Sequence, residues 1–208
     1  MGEAIDSKRV NSQRRIIGLT GGIATGKSTV SDYLASQYNL PVLDADVYSR
    51  QAVGKGREIL GVIAHRYGPS ILNSDGTLNR PALGNIIFTN LGEKQWVEQQ
   101  IHPYVQTQFS QVSAAYPPTQ PLIYAIPLLF EANLTHLATE IWVVACSPEQ
   151  QCQRLMARNN LTLDQAHSRI DAQMPLSEKC TRADYVLDNS GSREQLYKQI
   201  DSLFVKHP

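Results

Sequence analysis

The stretch IIGLTGGIATGKST, residues 16–29, decides the fold. Ile16, Ile17 and Leu19 form a short apolar run that breaks at Gly21-Gly22, and Lys27 then arrives beside the hydroxyls of Ser28 and Thr29. The spacing Gly21-x-x-x-x-Gly26-Lys27-Ser28 is that of a P-loop, G-x-x-x-x-G-K-[ST]. Its physics is direct. Glycines let the backbone turn successive N–H groups inward into an anion-binding nest. A helix starting near Lys27 adds the positive end of its dipole. The spacing therefore predicts a triphosphate wrapped by Gly22, Ile23, Ala24, Thr25 and Gly26. Lys27 serves as a point charge for the β- and γ-phosphates, Ser28 as a ligand for Mg²⁺ and Thr29 as a contact for the α-phosphate. Ala24 carries a Cβ, which predicts an ordinary negative φ there. The bland alternative is a glycine-rich strand–helix turn that holds nothing. The context opposes it: a β-branched run precedes the loop, and Val30, Tyr33 and Leu34 follow on one helical face.

Working outward, four further apolar runs read as buried strands: PVLDA (41–45), LIYAI (122–126), IWVVA (141–145) and YVLD (185–188). They are mostly too continuous for half-exposed antiparallel strands and fit parallel strands covered on both faces. With helical stretches between them, the expected class is α/β: a five-stranded parallel sheet between helical layers. The interval 46–119 is too long for one crossover helix. Amphipathic pieces at 59–68, 80–89 and 93–112 mark it as a helical insertion in a core made of 15–45 and 120–208. Pro103 should make the last piece begin near His102 or kink there. Residues 1–14 are polar, lack the apolar centre of a secretory signal and read as a mobile tail.

Composition narrows the class by exclusion. With 208 residues and a formal net charge of 0, the chain has no global pull toward nucleic acid or membrane. No apolar run approaches the ~18 residues of a membrane span. Three cysteines without C-x-x-C spacing and five histidines without ligand spacing argue against a zinc site or a disulfide framework and fit a reducing cytoplasm.

A phosphate cradle alone does not name a reaction. The guanine-reading N-K-x-D of GTPases is missing, and the D-x-x-G string Asp188-Asn189-Ser190-Gly191 comes too late to be a switch loop. Nothing resembles a transport-ATPase signature, and the third strand ends in Ala125-Ile126-Pro127 without an acid. Asp44-Ala45-Asp46 supplies the acids instead, at the end of the second strand, where open α/β sheets bind ligands. Strand alternation would put both carboxylates on one side. One could then hold Mg²⁺ and the other take a proton from an attacking hydroxyl; the competing role is a helix cap. Arg154 and Arg158, four apart on one helix face, repel unless an anion lies between them. They are candidates for closing over the transferring phosphoryl group, against the alternative of a solvated face, which is the stronger reading for Arg169 and Arg182.

These strings together resemble the dephospho-CoA kinase family. The likeness covers about 15–204 and includes LTGGIATGKST (19–29), LDADVYSRQAV (43–53), DGTLNRPALGNIIF (75–88), EKQWVEQQIHPYV (93–105), IPLLFEANL (126–134), QCQRLMARNNLT (151–162), RIDAQM (169–174) and ADYVLDNSG (183–191). The resemblance implies a fold similar to nucleoside monophosphate kinases, with a substrate domain at 46–119 and a lid within about 148–180. It implies ATP and Mg²⁺, dephospho-CoA as acceptor, and transfer of the γ-phosphoryl to its ribose 3′-hydroxyl. It points to Asp46 as the proton acceptor, with Asp44 supporting metal or substrate. Arg50, His102 and Leu128 would contact substrate, Arg154 and Arg158 would be the lid arginines, and Asn189 would lie near the adenine. A kinase for a nucleoside, nucleotide or other small alcohol is the runner-up, and a nucleotide-binding switch without transfer the third reading.

Overall fold

The structure, a computed structural model, describes residues 14–206. Five parallel strands form one sheet in the order β2-β3-β1-β4-β5. The strands are β1 (Ile16–Gly21), β2 (Val42–Asp44), β3 (Leu122–Ala125), β4 (Glu140–Ala145) and β5 (Tyr185–Asp188). β1 lies at the centre: Leu19 pairs with Ala125 of β3 on one side and Trp142 of β4 on the other. All five runs named from sequence are strands, with ends shifted by at most one residue. The carboxyl ends of all five face one edge, and the crevice beside β1 is where such sheets hold ligands.

Helices cover both faces. α1 (Lys27–Tyr38) and α9 (Arg193–Lys206) pack on one face, where Ile17, Leu19, Val30, Leu34, Trp142, Leu196 and Ile200 make a buried cluster. On the other face Leu43, Leu122, Tyr124 and Leu129 meet Val105 and Phe109 of α5 (Leu91–Ala114). Each such side chain removed from water contributes about 1.5–3 kcal/mol, so the sheet is clamped from both sides by transfer free energy.

The interval after β2 is helical, as expected: α2 (Ala45–Ala52), α3 (Glu58–Tyr67), α4 (Arg80–Thr89) and the long α5. It owns a separate apolar cluster of Val53, Leu60, Ile63, Ile71, Leu78, Leu83 and Val97. α5 belongs to both clusters, with Val97 in the insertion and Val105 and Phe109 on the sheet. Pro103 lies between those two contact zones, inside a helix that begins at Leu91 rather than at His102. An interior proline costs a helix about 3 kcal/mol or more, and packing on both sides of it offsets that cost. The stretch 148–180 resolves into α6 (Pro148–Asn159), α7 (Leu163–Asp171) and α8 (Leu176–Thr181). Of the expected tail, residues 1–13 lie outside the described residues. Arg14 is anchored, its guanidinium donating to the carbonyls of Ser113 and Tyr116.

Two local expectations are overturned. Ala24 has φ 62°, the left-handed region, where a Cβ costs energy; the tight loop imposes it. β2 stops at Asp44, and Asp46 already lies in the first turn of α2. Strand alternation therefore does not bring the two carboxylates together. Asp44 does so by capping α2, its Oδ1 accepting the Asp46 N–H at 2.8 Å.

Candidate active site

The P-loop joins β1 to α1 and lines a cleft of about 610 Å³. Gly22, Ile23, Ala24, Gly26, Lys27 and Ser28 form its floor, and Asp44, Asp46, Leu128, Arg154 and Arg158 form its walls. Gly26, the N-cap of α1, has φ 105°, and a Cβ there would lie 2.1 Å from Asn189 Nδ2, so only glycine fits. Asn189 itself is buried, and its amide donates to the Thr25 carbonyl at 2.8 Å. It braces the loop from behind. Thr25 is fully buried and its hydroxyl donates to the Gly22 carbonyl, so its side chain shapes the loop. Thr29 follows in the first turn of α1, half-buried.

Lys27 Nζ stands 3.4 Å from Asp44 Oδ2. Asp46 lies in the same cleft, and its carboxyl is held above the usual carboxylate range. Burial is the main cause and the neighbouring Asp44 charge the second; Lys27 and Arg50 pull the other way. Arg154 donates through Nη2 to the Asn189 carbonyl at 2.9 Å, while its buried Nη1 finds no hydrogen-bond acceptor. Arg154 as a residue lines the phosphate cleft, where a guanidinium is suited to an anion from outside the chain. Arg158 is exposed one turn further along α6.

Asp46 is also a wall of a second cleft of about 350 Å³, with Ser49, Arg50 and Arg80 and an apolar floor that includes Leu78, Leu83 and Ile101. Gly84 of α4 lines this second cleft and a third of about 660 Å³, which lies between Phe88 and Thr89 of α4 and Asp164 and Arg169 of α7. The three share residues in sequence: Asp46 joins the first to the second, and Gly84 the second to the third. Seven-tenths of the Phe88 side chain is exposed at the third.

The residues named from sequence thus divide. Gly22, Ile23, Ala24, Gly26, Lys27 and Ser28 of the P-loop share one cleft with Asp44, Asp46, Leu128, Arg154 and Arg158, with Arg50 next door; Thr25, Thr29 and Asn189 do not line it. His102 is half-buried within α5 and lines none of the three clefts. Arg182 stacks on Phe130 at 4.6 Å and is not among the residues that line the phosphate cleft. Sequence reasoning missed Arg80, Gln173 and Lys179. Lys179 is fully buried, paired with Glu131 at 2.8 Å and within 3.3–3.4 Å of the carbonyls of Pro127 and Gly21. It ties α8 to the start of the loop, a role invisible in the polar string around it.

Residues 15–195 match the family profile described as dephospho-CoA kinase. The chain belongs to the dephospho-CoA kinase family. A relative named dephospho-CoA kinase from Synechocystis sp. is 57% identical over 188 residues, 90% of this chain and 94% of that protein. A crystal structure from Thermus thermophilus superposes with a TM-score of 0.81 at 32% identity, covering 94% of this chain and 99% of that one. The dephospho-CoA kinase from Campylobacter jejuni superposes with a TM-score of 0.65 at 26% identity, covering 90% and 96%. These likenesses extend over the sheet, the insertion and α6 to α8 together, so the family assignment rests on the whole fold and not on the P-loop alone.

Proposed function

We propose that this chain transfers the γ-phosphoryl group of ATP to the ribose 3′-hydroxyl of dephospho-CoA, giving CoA and ADP. The observation that carries the reading is the position of Asp46, the wall shared by the phosphate cleft and an arginine-rimmed apolar cleft. A donor phosphate on one side and an acceptor hydroxyl on the other would meet at this carboxylate. The further cleft reached past Gly84 gives room for a long acceptor, as a pantetheine arm requires. The insertion at 46–119 then serves as the acceptor domain and the segment within 148–180 as the lid.

Asp46 is the group that accepts the proton as the ribose oxygen attacks; burial and the Asp44 charge beside it raise its affinity for that proton. In a loose transition state this proton leaves late, and the base contributes ~10²–10⁴-fold. The remaining acceleration comes from positioning and from cations: Lys27, Arg154 and Arg158 surround the group whose charge spreads. The oxygen donors of Ser28 and Asp44 line the same cleft, and such hard donors suit Mg²⁺. Asp44 keeps lone pairs beyond its cap and its contact with Lys27. When bound there, Mg²⁺ would neutralise phosphate charge. The described residues include no helix long and apolar enough to cross a membrane. Cys146, Cys152 and Cys180 are free thiols, which fits a cytoplasmic enzyme.

The test is an acceptor panel with labelled ATP: dephospho-CoA, adenosine, AMP and shikimate. Label is expected on dephospho-CoA in strong preference to the others. Transfer to one of the others alone would assign the site to a different alcohol.

A further inference from the structure

Ile23 sits at the crown of the phosphate loop, and both of its backbone polar groups are held by side chains from elsewhere. Its N–H donates to Gln173 Oε1 at 2.9 Å, and its carbonyl accepts from Gln151 Nε2 at 2.9 Å. Gln173 follows α7, and Gln151 lies in the first turns of α6, so the start of the α6–α7 pair and the residues just after it grip one loop residue. Gln151 is 5% exposed. The approach is close: a Cβ on Gly22 would come within 2.6 Å of Gln151 Nε2, so a side chain there would displace the Gln151 amide. The Ile23 amide, already bonded to Gln173, is not among the N–H groups free to face a phosphate. The fastening therefore lies outside the anion nest and does not compete with it.

Gln151, Arg154 and Arg158 are spaced i, i+3, i+7, which puts them on one face of α6. The loop residue that holds Gln151 thus also sets the rotation of the helix that carries both arginines. A second hold comes from the loop after β5: Gln150, next to Gln151 in the helix, donates to the Ser190 carbonyl, and Arg154 itself to the Asn189 carbonyl. Holds along two directions constrain the roll of a helix more than one does.

We propose that Gln151 and Gln173 are positioning residues for phosphoryl transfer: by locking the Ile23 peptide at both ends they set Arg154 and Arg158 over the phosphate loop. The inference rests on the reading that these arginines meet the transferring group. Neither glutamine touches the reacting atoms.

The test is a double-mutant cycle on the full chain, with kcat and the KM of each substrate as readouts. Gln151→Met keeps the length and removes the donor. It is expected to lower kcat roughly tenfold, the scale of one lost transition-state contact, with the KM for dephospho-CoA within about twofold of wild type. In an Arg154→Ala/Arg158→Ala background the same change is expected to cost under about twofold, because the side chains it positions are gone. An equal loss in both backgrounds, or no loss in the native one, overturns the inference. Should Gln151→Met not fold, the same cycle with the half-exposed Gln173→Met decides. A conservative pair adds a second readout. Gln173→Glu still accepts the Ile23 N–H and should retain more turnover than Gln151→Glu, whose ionised carboxylate cannot donate to the carbonyl; the reverse order counts against the clamp. If Arg154→Ala/Arg158→Ala keeps wild-type turnover, the arginine reading fails and takes the inference with it. A deep loss in that variant combined with an equal Gln151→Met loss in both backgrounds removes the inference alone.

Discussion

The donor side and the acceptor side of this molecule are built in different ways. The donor side is backbone: a loop whose carbonyls and amides are held by Thr25, Asn189, Gln151, Gln173 and Lys179, on a sheet buried from both faces. The acceptor side is made of side chains, Arg50, Arg80 and Phe88, on helices with their own apolar cluster. Backbone amides read a phosphate of fixed shape and tolerate little change. Side chains on separately cored helices can be altered one at a time. The lesson is that damage on the donor side should strike turnover, and damage on the acceptor side should strike acceptor affinity.

Lys27→Ala tests the first half most severely. Removing the lysine that lines the phosphate cleft should lower kcat by at least roughly a thousandfold, measured as CoA formed at saturating ATP. Retained turnover would break the comparison at its strongest point. Asp46→Asn stands at the border of the two halves. It should cut kcat about a hundredfold or more with both KM values little changed, because only a transition-state contact is lost. A variant that binds both substrates and turns over near normally would remove Asp46 from the base role.

Gly84→Leu probes the acceptor half alone. A Cβ at Gly84 meets nothing within 4 Å, so the larger side chain should enter the passage between the second and third clefts without a clash inside the protein. The helix should gain up to about 1 kcal/mol from losing a mid-helix glycine, seen as a higher Tm. The KM for dephospho-CoA should rise about tenfold while the KM for ATP stays put, on the ~1.4 kcal/mol that a tenfold change represents. An unchanged acceptor KM would mean that the arm takes another route.

The smallest effect is in pH. The Asp46 carboxyl is raised by burial and by Asp44 beside it, so kcat/KM should fall as pH drops through a value above the ~3.9 of an ordinary aspartate. Arg50 lowers that value. Arg50→Gln should therefore move the acid limb to higher pH, read from the pH profile of kcat/KM. A limb that moves down instead would show that the limiting group is not Asp46.

Much of the sheet was legible because a parallel strand buried on both faces must be apolar throughout, and LIYAI at 122–126 is such a run, every residue of it buried. The anion nest was legible because its spacing is a backbone requirement. Three features were not. Ala24 adopts φ 62°, which local preference disfavours and only the closure of the loop enforces. Asp44 and Asp46 meet through a helix cap, because the strand ends one residue earlier than its apolar run. Lys179 and Gln151 look like surface residues in polar strings, and their burial depends on partners 48 and 128 positions away in the chain, Glu131 and Ile23. His102, singled out by family resemblance beside Pro103, lies in a helix whose continuity through the proline rests on packing at both ends.

That helix, α5, has a mechanical consequence. It is a rod driven into two separate hydrophobic masses, one under the sheet and one in the insertion. Melting either mass frees half of the rod and strains the other half, so the two should come apart together. Amide hydrogens on either side of Pro103 should accordingly exchange with similar protection, and heating should give one transition instead of two.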